Sequence, residues 1–319
     1  MGNEETNPGP NDSGWFTDSD ELGTFLQDER IADTRMVSSF DDAQAVIAEF
    51  SASDGAGAWM SLDRATVADR LMVLFAPASA TDEGTGYRSL QQAGLNLCGP
   101  AALLLLAMGR DPVAVARYAT ELFETGTGSI GNFTVTASDE LCGVDFAEVS
   151  TRGNAGTQAE WMMLSAIRNA TEAFWQPEWT GDPDQELAGM TRPEELADWM
   201  RQTGIWSNVT DNGRWATNPG IPNATSIVLA EGRDVAMLIH ANMIKESTVA
   251  GSDRGPADHK VSLMNNFPNH WVVLLSEVTP QVSDNSLALT IWTWGGRMML
   301  NVPQRVFIDN YFGTVTATM

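Results

Sequence analysis

Leu95-Asn96-Leu97-Cys98-Gly99-Pro100-Ala101-Ala102-Leu103-Leu104-Leu105-Leu106-Ala107-Met108 is the stretch on which the reading of this 319-residue chain turns. A polar loop rich in Thr, Ser and Gly (78–94) leads into it, and every residue from Ala101 to Met108 is apolar and helix-favouring. A helix that is apolar on all faces belongs in a core, and this run falls short of the ~18 residues a membrane span requires. Pro100 suits a first helical turn, where its missing N–H costs nothing, and Gly99 allows a close backbone approach. Cys98 therefore stands where a loop becomes a helix. A thiol there faces unpaired N–H groups and the positive end of the helix dipole, which are expected to lower its pKa and favour the thiolate. Gln92 lies six residues earlier. Its amide can donate to an oxyanion, with the backbone N–H of Cys98 as second donor.

Outward from this helix, apolar spacing predicts helices over Asp41–Phe50, with Ser39 as cap, and over Ser61–Phe75, Val113–Glu124, Thr157–Phe174 and Pro193–Thr203. Short β-branched or aromatic segments follow: Ser226–Leu229, Val235–Ile239, His270–Val278, Leu287–Thr293 and Val306–Tyr311. They read as strands of an antiparallel sheet. Helices first and strands last define an α+β fold rather than an alternating parallel one. The first 29 residues hold eight acidic residues and no Lys or Arg, so 1–28 reads as a flexible acidic arm. Residues 29–77 read as a helical N-terminal extension and 78–319 as the main domain.

With 42 Asp plus Glu against 18 Lys plus Arg, the formal charge is −24. Binding a phosphate backbone or an anionic membrane surface needs clustered cations, so neither is expected as a partner. Two cysteines, Cys98 and Cys142, are too few for a disulfide scaffold or a structural zinc site, although they leave one pairing open. Met1 to Leu22 lacks a basic segment followed by an apolar one, so no Sec-type signal peptide is expected. The start Met1-Gly2-Asn3-Glu4-Glu5-Thr6 matches a myristoylation pattern, but the acidic flank and missing second anchor favour chance.

Alone, a cysteine before a Leu-rich helix is a packing residue. A nucleophile needs a base, and the chain offers three histidines. His270 opens His270-Trp271-Val272-Val273-Leu274-Leu275, where the mouth of a buried strand holds a side chain rigidly. His240 ends the strand-like Val235–Ile239 and His259 lies in the polar stretch Ser252–Lys260. A metal site from His240, His259, Asp253 and Asp258 lacks ligand spacing of a known kind, and no metal or cofactor is expected. Trp175 and Trp179, near Pro177, are candidates to line a groove, although tryptophans are more often core.

Gln92, then Cys98-Gly99-Pro100-Ala101-Ala102 opening an apolar helix, then His270-Trp271-Val272-Val273 on a later strand, resemble the papain-like cysteine peptidases. Within that superfamily they are most similar to bacterial papain-fold peptidases and toxin or effector domains. The order Gln, Cys, His and the spacing from Gln to Cys are shared. The resemblance implies a two-lobe fold, a helical lobe beginning with the nucleophile helix and a sheet lobe carrying the histidine. It further implies hydrolysis of an amide bond in a protein or peptide through a Cys–His thioester, without a cofactor. Deamidation of Gln or Asn, acyl transfer, and a catalytically inactive binding module are the alternatives. An effector would be exported without a Sec signal and paired with an immunity or inhibitor protein; a cytoplasmic enzyme is equally consistent. One departure is visible. Where many relatives carry Asn-Ser-Trp-Gly, this chain has Trp292-Thr293-Trp294-Gly295, so Trp292 falls on the Asn slot. Thr293 is taken as the group that orients His270, with Asp284, Asn285 or a simple dyad as alternatives.

Overall fold

In a computed structural model the described residues are 36–77, 86–171, 176–215, 233–252 and 267–319. The acidic arm, the strand expected at Ser226–Leu229, and Trp175, Asp253, Asp258 and His259 lie outside them. Two helices come first, α1 (Phe40–Ser51) and α2 (Arg64–Leu74). Ser39 and Asp63 cap them by accepting the N–H of Asp42 and of Thr66. Ala43, Ile47, Phe50, Val67 and Leu71 place both helices in one core with described residues of the later helices and strands.

The central helix α3 (Cys98–Arg110) is buried at every position but Gly109, as its uniformly apolar sequence requires. Asp111 ends it and, by accepting the N–H of Ala114, begins α4 (Pro112–Thr125), with Pro112 in the first turn. At the far end of α3 the Arg110 guanidinium bonds the Asp234 carboxylate in two places, at 2.7 and 2.8 Å. A hairpin, β1 (Thr127–Ile130) and β2 (Phe133–Thr136), leads to α5 (Asp139–Cys142), α6 (Phe146–Arg152) and α7 (Gln158–Ala170). Helices α8 (Glu186–Gly189) and α9 (Pro193–Thr203) complete the helical half. Gly204, at φ +67°, stops α9 in the left-handed conformation that favours glycine.

Strand β3 (Asn208–Asp211) opens the second half, followed by β4 (Arg233–Ile239), α10 (Asn242–Lys245), β5 (Thr248–Ser252) and β6 (His270–Leu274). Then come β7 (Thr279–Gln281), β8 (Ser286–Thr293), β9 (Gly296–Pro303), α11 (Gln304–Asn310) and β10 (Tyr311–Thr318). The strands form one antiparallel sheet in the order β3-β10-β4-β6-β8-β9-β5, with β7 also pairing β8. The α+β class expected from sequence holds. One strand does not: Val306–Tyr311 lies almost wholly in α11, where only Phe307 and Asn310 are buried, three residues apart as on a helix. Helix α3 packs against β6, the centre of the sheet. Among the described residues no helix is long and apolar enough to cross a membrane.

Candidate active site

The packing of α3 on β6 brings Cys98 to the start of the strand. Alternate N–H groups of β6 point toward β8, as Leu275 just beyond it does by donating to Thr290 O at 2.8 Å. The β6–β8 ladder runs only from Leu274 to Val273, so the N–H of Trp271 faces a gap in the pairing. The Trp271 N–H is close enough to the Cys98 sulfur to favour its ionised form. Gly99 is required here for closeness: a Cβ on it would lie 2.4 Å from the Cβ and Oγ1 of Thr191. Thr191 in turn accepts the Trp271 indole N–H at 2.8 Å through its carbonyl.

The expectation of a thiolate is corrected. The N–H groups of Trp271, Gly99 and Cys98 pull the thiol pKa down, as a helix N-terminus should, but burial outweighs them and pushes it up to about 11. Burial therefore favours the neutral thiol over the thiolate.

His270 sits at the first position of β6 with its Nε2 2.7 Å from Thr293 Oγ1. The Trp294 ring stacks on the imidazole at 4.8 Å between centroids and 20° between planes. That stacking depends on the β8–β9 turn, where Trp294 and Gly295 adopt φ +49° and +81°. Two successive positive φ values mark the tight hairpin turn that matches strand twist, in which the first position favours Asn or Gly. A tryptophan there is strained, and its indole lies across the histidine.

The other orienting candidates are elsewhere. Asp284 accepts the Ser286 hydroxyl at 2.7 Å and Asn285 O accepts Gln304 N–H, at the opposite end of β8. Eight residues of strand put that end about 23 Å from Thr293. Trp292, the residue on the Asn slot, turns its indole N–H to Arg88 O at 2.8 Å.

Gln92 lies in the loop before α3, and the structure brings that loop to the same turn. A Cβ on Gly295 would meet Gln91 Cγ at 2.4 Å, so the Trp294–Gly295 turn and the Gln91–Gln92 loop are in van der Waals contact. Exposure is 7% for Cys98, 5% for His270 and Gln92, and 3% for Thr293, so all four side chains are buried.

Ile239 pairs with His270 across the ladder, and His240 follows it, accepting Asn242 N–H on Nδ1 at 3.2 Å. Burial, then the charge of Lys245, lowers its pKa. No group of three His, Cys, Asp or Glu side chains among the described residues is close enough to hold a metal ion. Cys98 and Cys142 are both free thiols. Trp179 is wholly buried and packs in the core rather than lining a groove. Sequence reasoning missed Thr191, and it missed Glu160, which bonds the Gln91 N–H at 3.1 Å from α7. Neither a protein-family model nor a curated protein matches the chain.

Proposed function

We propose that this chain is a papain-like cysteine hydrolase that cleaves amide bonds in a protein or peptide, with α1–α9 and the β3–β10 sheet as its two lobes. The observation that carries the reading is the pairing of Thr293 and His270 at 2.7 Å, one residue from Trp271, whose N–H lies close enough to Cys98 to favour its ionised form. Held through Nε2, the imidazole would take the thiol proton on Nδ1 as sulfur attacks the carbonyl carbon. Gln92 and the Cys98 N–H stabilise the resulting oxyanion. The C–N bond then breaks, and His270 returns its proton to the leaving amine. Water, deprotonated by His270, hydrolyses the thioester and restores the thiol. Because burial favours the neutral thiol, proton transfer accompanies the attack instead of preceding it.

A second reading, a fold of this type kept for binding alone, is favoured by the same burial that pushes the thiol up to about 11. Mass spectrometry of unfolded casein incubated with the full chain separates the two. Cleaved fragments that vanish in Cys98→Ala and His270→Ala support the hydrolase. Amide groups converted to acids without chain cleavage, with the same dependence, place the chemistry on side chains. A wild type no different from Cys98→Ala on casein and on a diverse peptide mixture leaves the binding module.

A further inference from the structure

The loop presenting Gln92 is tied down by a buried ion pair that takes no part in the chemistry above. Glu160 stands in the first turn of α7, after the cap Thr157, and its carboxylate is wholly buried. Arg70, on α2, points Nε at both carboxylate oxygens at 3.1 Å and bonds Oε1 again through Nη2. The same Nη2 donates to Ser89 O at 2.7 Å. Glu160 Oε1 also accepts the Gln91 N–H at 3.1 Å, and the Thr157 hydroxyl donates to Oε2. One ion pair thus grips a backbone carbonyl and a backbone N–H of the three residues immediately before Gln92. From the sheet, Trp292 holds Arg88 O and Gly295 packs on Gln91.

Burying an ion pair is a poor route to stability, because desolvation offsets most of the attraction. What a forked guanidinium–carboxylate contact does supply is a single geometry. A shift of about 1 Å in a group facing the transition state can cost on the order of a hundredfold in rate, so such a geometry matters most beside an oxyanion donor.

We infer that Glu160, fixed by Arg70, is a positioning residue that sets the Ser89–Gln91 backbone so that the Gln92 amide meets the oxyanion formed at Cys98. The inference rests on the acyl-transfer reading of Cys98 and Gln92. Two reactions of the full chain separate its failure from the failure of that reading. With p-nitrophenyl acetate, Cys98 sulfur adds to the carbonyl, p-nitrophenolate leaves with the bonding electron pair, and the thiol proton goes to His270, so an oxyanion forms on the way. With iodoacetamide, sulfur displaces iodide at a saturated carbon and no oxyanion forms.

Gln92→Ala is expected to slow acylation about a hundredfold and Glu160→Gln about tenfold, both leaving alkylation within about twofold of wild type. The double variant is expected to acylate no more slowly than Gln92→Ala alone. A residue of purely structural effect would change alkylation as well, or add its loss to that of Gln92→Ala. Arg70→Lys keeps the charge but loses the fork to Ser89 O; it should fall between wild type and Glu160→Gln, and it carries the test if Glu160→Gln does not fold. Acylation unchanged in Glu160→Gln beside a slow Gln92→Ala overturns the positioning role alone. Acylation unchanged in Gln92→Ala overturns the reading of the site and this inference with it.

Discussion

Alkylation of Cys98 as a function of pH tests whether burial or the helix N-terminus governs the thiol. With its pKa pushed up from 9.0 to about 11, about one molecule in a thousand carries the thiolate at pH 8, against about one in ten for an unshifted thiol. Iodoacetamide should therefore label Cys98 about a hundredfold more slowly than an unfolded control at pH 8, and the rate should climb tenfold per unit up to about pH 10. A Cys142→Ser background isolates the one thiol for intact-mass measurement. The same shift predicts a stability change of known sign. The folded chain holds the proton more tightly than the unfolded one, so the contribution is complete below pH 9 and lost as pH rises through about 11. Two units correspond to about 3 kcal/mol. Burial also raises Tyr118 and Tyr311, so the quantity to follow is the difference between wild type and Cys98→Ala in urea unfolding, which should shrink across that window. A fast labelling rate that is flat from pH 5 to 8 would refute the argument, because it requires a thiolate already formed beside a protonated His270.

Thr293→Val removes only the hydroxyl beside His270 Nε2; acylation by p-nitrophenyl acetate should fall about tenfold, an effect of about 1–2 kcal/mol, and Thr293→Ser should restore it. Trp294→Asn creates the Asn-Gly pair that the positive-φ turn favours, so thermal unfolding should hold or rise while acylation falls; unchanged acylation would show that the stacked indole is dispensable. Gly99→Ala should cost about 1–3 kcal/mol in urea unfolding, since its Cβ would overlap Thr191 at 2.4 Å. Gly109→Ala in the same helix, where the new Cβ meets only the Tyr87 ring at 3.5 Å, should stabilise by about 0.5–1 kcal/mol.

What could be read in the sequence was whatever depends on neighbours along the chain. Pro193 and Gly204 bracket α9, and the change from polar loop to apolar run marks the start of α3. Val306-Phe307-Ile308 was misread because a short apolar run fits either period; only the tertiary setting, which buries Phe307 and Asn310, decides for helix. Strand β9 was missed for a related reason. Met298, Met299 and Leu300 are all apolar although Met299 faces outward, so the expected alternation is absent from the sequence while present in the burial. Of the site, Cys98 and His270 could be nominated because each sits at a recognisable helix or strand terminus, whereas Thr293 was reached only through the resemblance to the Asn-Ser-Trp-Gly setting. Glu160 could not: a carboxylate in a helical first turn reads as a solvated cap residue, and its partner Arg70 is 90 residues away. Periodicity shows which face is buried and says nothing about what lies against it.

Trp292 and Thr293 explain why the departure from Asn-Ser-Trp-Gly need not disable the proposed site. Successive residues of a strand face opposite ways. Trp292 uses one face to hold Arg88 O, and with it the loop leading to Gln92, while Thr293 uses the other to reach His270. An Asn on the first slot would forfeit the hold on the loop. The exchange has an electrostatic consequence. The Thr293 hydroxyl can orient an imidazole but brings no negative charge of its own. Burial of Cys98, which pushes its pKa up, by itself favours keeping the proton on sulfur before substrate arrives. In the proposed site, charge would then separate as a substrate carbonyl accepts the attack of sulfur, with the oxyanion donors placed to stabilise it.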